Sequence, residues 1–575
     1  MMSKNARRVL GTMVAIVATI GSGWQETLAA SDDGDSVAQS LTVEGQDLAA
    51  GVACDERPHY ALWAGLNPDD GRVGALMRAT LPVGADAETV HLRWFPGAAA
   101  DDATLSGVTV DGVAVEPVVD GSIVTIGLQP GHGDVINVIA VFSFVAQEFT
   151  ATEVDPMSSG DALQPSDIGL LARSADALML GHWFPIWVPA GLSADAVLDG
   201  YGDISNFPAA TIVAQLDVPE GSVVVSSGSR FDESTGDAGR TLITEGGVGL
   251  RDLAVVVMPD AEQVTTQAGD IEIVVSAPPG TPDVDVVADI AAASVTTPSA
   301  ELGAYPWAQL DVLSAPLGSG VGGMEWPGMV WIETSIFAGG IPGLGDLGEL
   351  GEIGDLNDLF GSDGTGVGLE DLGLEDLGLR DIGLMIETIR EWTIAHEVGH
   401  MWWHSLVGND SNTAPVVDEA LAQHSACLVE RVLRPEDATV VCDVHTSGQY
   451  EQLVSLMGIE DDAADQATDE FDSSLQYGAL VYAKAPVFYR TLEARYGVDE
   501  TTAALATIVA DNAFGQITSD QLRDQLGVAL GDPAGVHELW QRWMEEAHGA
   551  EDPVAGVVRT SGSQFATAGP CQPEV

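Results

Sequence analysis

The chain has 575 residues, 46% of them hydrophobic, and its 87 acidic against 21 basic side chains give a formal net charge of −66. That length predicts two or three domains, and the apolar content excludes disorder over the whole chain. So negative a surface repels nucleic acid and anionic lipid, which excludes both as partners, and it reads as adaptation to concentrated salt, where screening lengths shrink to a few ångströms.

Residues 1–30 read as a secretory signal. Lys4, Arg7 and Arg8 precede an apolar run from Val9 to Ile20, and Leu28-Ala29-Ala30 offers small residues for cleavage. The run is short for a membrane span; an uncleaved anchor is the alternative, and no later segment is apolar for long enough to cross. A secreted or extracytoplasmic protein is expected, without stable membrane insertion after cleavage. An acidic linker follows over 31–54. From 55 to 288, β-branched runs such as Val108-Thr109-Val110, Ile123-Val124-Thr125-Ile126 and Val223-Val224-Val225 predict an all-β domain, punctuated by turns at Asp111-Gly112 and Asp120-Gly121.

A second domain is expected over 289–550. Within it, 338–385 is low in complexity: Gly-Leu-Glu-Asp-Leu repeats from Gly368 with a period of five, which is neither helical nor strand-like. We expect a flexible acidic insert there, with a solenoid-like calcium site as the alternative. From Ile386 to His548 the pattern is helical, with helix starts at Ser519-Asp520 and Asp532-Pro533, and 551–575 reads as an extended tail. The four cysteines fit an exported chain. Cys427 and Cys442 are close enough to staple a local loop and Cys54 and Cys571 would tie the ends, but three pairings are possible and sequence does not choose among them.

The chemistry is carried by His396-Glu397-Val398-Gly399-His400, an H-E-x-x-H string. Residues four apart on a helix lie about 40° from each other around its axis, so the two imidazoles can reach one zinc ion and Glu397 is left beside it as a general base. The metzincin continuation would need Gly at Trp403 and His at Leu406 and is absent. Instead Pro415 suits the start of a second helix, from whose first turns Glu419 would project as third ligand. His-His-Glu ligation leaves one position open, as a catalytic zinc requires; His404, on nearly the same stripe, is the competing ligand and would close the site.

With eighteen residues between His400 and Glu419, this pattern resembles the M1, or aminopeptidase N, family of gluzincin zinc peptidases. Gly322-Gly323-Met324-Glu325 resembles the family's G-x-M-E-N motif, and Tyr482-Ala483-Lys484-Ala485 its Y-x-K-G motif. Trp402 stands where the family's zinc helix carries a tryptophan, and Tyr477 has a parallel in some relatives. The resemblance implies an α+β multidomain chain, in which an N-terminal all-β domain precedes a thermolysin-like, mainly helical zinc-peptidase domain. It also implies one Zn2+ per chain and a peptide substrate with a free N-terminus. Glu397 would act as base and Tyr482 would stabilise the oxyanion. Glu325 would bind the terminal ammonium, and Gly322 and Gly323 would let substrate backbone approach. Two departures bear on substrate range. Trp326 replaces the motif's asparagine and is expected to narrow the pocket, and Ala485 replaces its glycine. An endopeptidase of the same chemistry is the second reading and a non-enzymatic secreted scaffold the third.

Overall fold

The computed structural model describes residues 37–51, 57–100, 102–149, 168–189, 207–318, 320–340 and 379–548, together with Leu192 and Gly202. The N-terminal leader, Cys54, Cys571, residues 341–378 of the acidic insert and the C-terminal tail lie outside the described residues.

Strict alternation of apolar and polar residues builds the first half. In His59–Asn67, Arg72–Pro82 and Val135–Val145 every second side chain is buried, as in Tyr60, Leu62, Ala64 and Leu66 of the first strand. These strands lie centrally in an eight-stranded sheet, where Ala210–Pro219 adds beside His59–Asn67 in parallel and the other pairings are antiparallel. A period of two with one face buried fixes register, since a one-residue slip would turn the whole apolar set to solvent. Two smaller sheets, of five and four strands, complete this β-rich half.

The second half opens on another five-stranded sheet: β1 Glu262–Ala268, β2 Ile271–Ala277, β3 Gln309–Ala315, β4 Gly323–Trp326 and β5 Met329–Glu333, in the order β1-β2-β3-β5-β4. Its first two strands come from the stretch whose composition groups with the all-β region; pairing decides otherwise, because β2 runs parallel to β3 and is joined to it through helix α1, Val284–Glu301. The β4 strand is an edge, antiparallel to β5. Helices follow: α2 Leu379–Gly399, α3 Glu419–Leu433, α4 Ala438–His445, a π-helical segment Gly478–Lys484, α5 Ala485–Tyr496, α6 Val498–Asn512, α7 Ser519–Ala529 and α8 Pro533–Trp540. Thr518 and Asp532 cap α7 and α8 through their side chains, close to the starts expected. Helix α2 begins before residue 386, because Leu379, Ile382, Ile386 and Ile389 continue the helical spacing into the end of the repeat.

Among the described residues no helix is long and apolar enough to cross a membrane. Cys427 on α3 and Cys442 on α4 are buried, free thiols in a cluster with Trp392 and Ala395 of α2.

The two halves share one continuous apolar core, and Arg251 crosses between them. Its guanidinium is buried and donates to four backbone carbonyls: Phe207 (2.8 Å), Ser405 (3.0 Å), Leu406 (3.4 Å) and Gly515 (2.6 Å). Burial pushes its pKa down to about 9, so it remains charged at neutral pH. Arg251→Met would take the side-chain donor from all four, while Leu406, Gly515 and Phe207 keep a second one from Phe514 N, Gly408 N and Gln516 Nε2, so the loss falls on the Ser405 carbonyl, at about 1–3 kcal/mol where water cannot reach it. A clear drop in the urea midpoint is the expected result, and an unchanged midpoint would show that the strut contributes nothing.

Candidate metal centre

The helix period does what the spacing implied: His396 and His400 point to one side at the C-terminal end of α2, their Nε2 atoms 3.1 Å apart. Glu419 comes from the first turn of α3, with Oε2 3.2 Å from His396 Nε2 and 3.3 Å from His400 Nε2. Pro415 does not start that helix. It lies in a preceding turn, and Asp418 is the N-cap, its side chain accepting from Glu419 N at 2.9 Å. The close approach of α2 and α3 depends on Gly399, where a Cβ would lie 3.0 Å from Ser425 Cβ and 3.2 Å from the Ala422 backbone.

The donor set fits a zinc ion. His400 Nδ1 is 3.0 Å from the Trp403 carbonyl, which can only accept, so the proton sits on Nδ1 and Nε2 presents a lone pair. Glu419 Oε2 is buried and has no hydrogen-bond partner. An anionic oxygen and two imidazole nitrogens converging in a buried place are the donors that would hold a catalytic zinc ion.

Glu397 is also buried, its carboxylate lying against the edge strand β4. Gly323 is required at that contact, because a Cβ there would overlap the Glu397 carboxylate. Alternation along β4 then divides the motif. Gly323 and Glu325 face the metal cluster, and Glu325, Glu397 and His400 bring ligand atoms within 4.8 Å of one another. Met324 and Trp326 face the other way, into a cluster with Met329 and Trp331, where the rings of Trp326 and Trp331 are 4.0 Å apart. Neither of these side chains therefore lies on the site's face, and the expectation that Trp326 narrows the pocket is corrected: a strand's pleat sends neighbours to opposite sides. Gly322 precedes β4, its carbonyl accepting from Glu333 N at 2.9 Å.

The π-helical segment carries Tyr482, whose hydroxyl donates to Glu419 Oε1 and whose ring lies 5.6 Å from that of His396. Burial, and then the Glu419 carboxylate, push its phenol well above the ordinary range, so it stays a donor. Lys484 anchors this segment: its ammonium, fully buried, meets Asp461 at 2.8 Å and the carbonyls of Asp462 and Glu546 at 2.7 Å. His404 is not a ligand. The chain leaves the helix after Gly399, so the common stripe does not extend to it, and it joins none of the groups that could hold a metal among the described residues. Sequence reasoning missed Asp418, though an Asp directly before the first residue of a helix is an N-cap signal. It also missed the Trp403 carbonyl and Arg251, which no local pattern marks.

Residues 386–543 match the model of the peptidase family M1 domain. No curated protein matches the sequence. Among solved structures, the chain is similar to the M1 zinc metallopeptidase from Deinococcus radiodurans at 15% identity and a TM-score of 0.56, covering 86% of this chain and 94% of that one. A two-domain M1 zinc metallopeptidase variant bound to L-arginine is similar at 15% identity and a TM-score of 0.57, with 86% and 94% covered. Legionella pneumophila aminopeptidase A in complex with aspartic acid matches at 14% identity and 0.55, over 86% of this chain and 50% of that one. At these identities the structural likeness shows a shared fold, and residues 386–543, which enclose the His-His-Glu cluster, match the peptidase family M1 domain.

Proposed function

We propose that the chain is an aminopeptidase that removes N-terminal residues from peptides. The observation that carries this reading is the placing of Glu325 on the edge strand beside Glu397 and His400: a buried carboxylate within reach of the reacting groups suits a substrate's terminal ammonium. The amino-acid ligands of two similar folds, L-arginine and aspartic acid, support it.

His396, His400 and Glu419 would hold zinc, which when bound supplies Lewis acidity at the scissile carbonyl and lowers the pKa of water. Glu397 takes a proton from the attacking water and passes it to the departing amine. Tyr482, a permanent donor beside the cluster, turns its hydroxyl from Glu419 to the developing oxyanion. Glu325 pairs with the α-ammonium and so fixes which bond meets the water. Gly322 and Gly323 present backbone without side chains, and Gly323 leaves room for Glu397.

Purified protein should carry one zinc per chain, and Glu419→Ala should lose it on dialysis, since ligand loss weakens a site in which metal binding and folding are coupled. Full zinc occupancy in that variant would reassign the third ligand. Glu397→Gln should retain zinc and fold while turnover falls by roughly 10²–10⁴-fold, the usual worth of a general base; near-normal kcat would move the base elsewhere.

The exopeptidase step is tested with one peptide in free and N-acetylated forms. A carboxylate left without its ammonium in a desolvated site costs enough to cut kcat/KM for the blocked form by at least ~10²-fold. Glu325→Ala should erase most of that difference and keep zinc. Internal cleavage of blocked peptides at the rate of free ones would establish an endopeptidase instead.

A further inference from the structure

His404 stands outside the mechanism above, yet its backbone is held at φ 111°, a left-handed conformation that glycine adopts readily and an L side chain rarely. The turn around it is locked. Ser405, Leu406 and Val407 donate their N–H groups back to the carbonyls of His400, Met401 and Trp402 at 3.0, 3.1 and 3.0 Å, and His404 N donates to Val407 O at 2.8 Å. Glycine would suit this place better, so the gain from histidine lies where its side chain goes. Buried, its Nδ1 lies 3.5 Å from Asp418 Oδ2 and 3.8 Å from Glu325 Oε1. Asp418 is itself fixed, accepting from the Ser411 hydroxyl on Oδ2 and from Glu419 N on Oδ1. His404 thus stands between the cap of the helix that carries Glu419 and the edge strand that carries Glu325, its Nδ1 in electrostatic rather than hydrogen-bond contact with both carboxylates.

We propose that His404 is a positioning residue for Glu325: placed between two carboxylates, it holds Glu325 in the one orientation that receives a terminal ammonium, and thereby sets selection for free N-termini without touching the metal. This rests on the aminopeptidase reading. Strain kept at a buried non-glycine residue, where surrounding bonds over-determine it, accords with such a role. Without His404, Glu325 would lose one of the groups that face its carboxylate, His400 Nδ1 at 4.0 Å being another, and substrate binding through the amine would weaken while Glu397 and the ligands stayed in place.

The test compares wild type, His404→Gly, His404→Asn, Glu325→Ala and the double variant His404→Gly/Glu325→Ala, each as the full chain with zinc measured, on one peptide free and N-acetylated. His404→Gly should raise KM for the free peptide by about tenfold or more with kcat little changed, narrow the free-to-acetylated ratio in step, keep zinc, and leave the thermal midpoint at or above wild type because glycine relieves the positive φ. Asn tolerates that backbone and places an N–H near the position of Nδ1, so His404→Asn should recover most of the ratio. In the Glu325→Ala background His404→Gly should add nothing, since both act through one group. An unchanged ratio in His404→Gly, additive effects in the double variant, or loss of zinc would each overturn the proposal. A wild type indifferent to acetylation would overturn the aminopeptidase reading itself, and is seen before any variant is made.

Discussion

Two imidazoles and a carboxylate are held together where water does not reach. His396 and His400 present Nε2 atoms 3.1 Å apart, and Glu419 Oε2 stands 3.2 and 3.3 Å from them. With Nδ1 of His400 committed to the Trp403 carbonyl, lone pairs and a negative oxygen face one another in a buried setting. Such an arrangement is unfavourable unless a cation joins it, and a cation makes it strongly favourable. Much of the surrounding architecture serves to keep that arrangement from relaxing. Gly399 lets the two helices touch, Asp418 fixes the first turn of α3, and Tyr482 occupies the second oxygen of Glu419.

Rigidity of this kind is imported from the β-rich half. Arg251 leaves the end of the large sheet and grips carbonyls of the turn that follows the zinc helix. The chain has few cations to spend against its 87 acids, and several of those it has are committed inside. Lys484 is buried against Asp461 beneath the Tyr482 segment, and Arg431 makes a two-pronged contact with Glu493 at 2.6 and 2.8 Å between α3 and α5. Breaking the buried Lys484–Asp461 pair strands the remaining charge, so that contact guards the site's geometry more than it adds net stability.

Much of the site was legible because its logic is local. Four-residue spacing on a helix puts His396 and His400 on one face whatever the rest of the chain does, and it leaves Glu397 beside them. Period-two patterning announced the strands of the first half for the same reason. Glu419 could be nominated because a catalytic zinc needs a third ligand and one carboxylate stood at a helix start after a loop of suitable length.

What the sequence did not determine depends on contacts between distant segments. The face that Met324 and Trp326 would take was undecided until β4 paired with β5, since the same alternation serves either side and only the cluster around Trp331 selects one. The strands Glu262–Ala268 and Ile271–Ala277 look like any β-rich stretch, and their membership of the second sheet follows from hydrogen bonds to β3. By spacing alone His404 continues the ligand stripe; the backbone leaves the helix before it because the turn at 400–407 closes on itself and on Arg251, a long-range contact that no window of sequence contains. Spacing along one helix determined that His396 and His400 face one side, and tertiary packing decided that Glu419 meets them and which residues surround the three, because a side chain's direction is local only while its secondary structure continues.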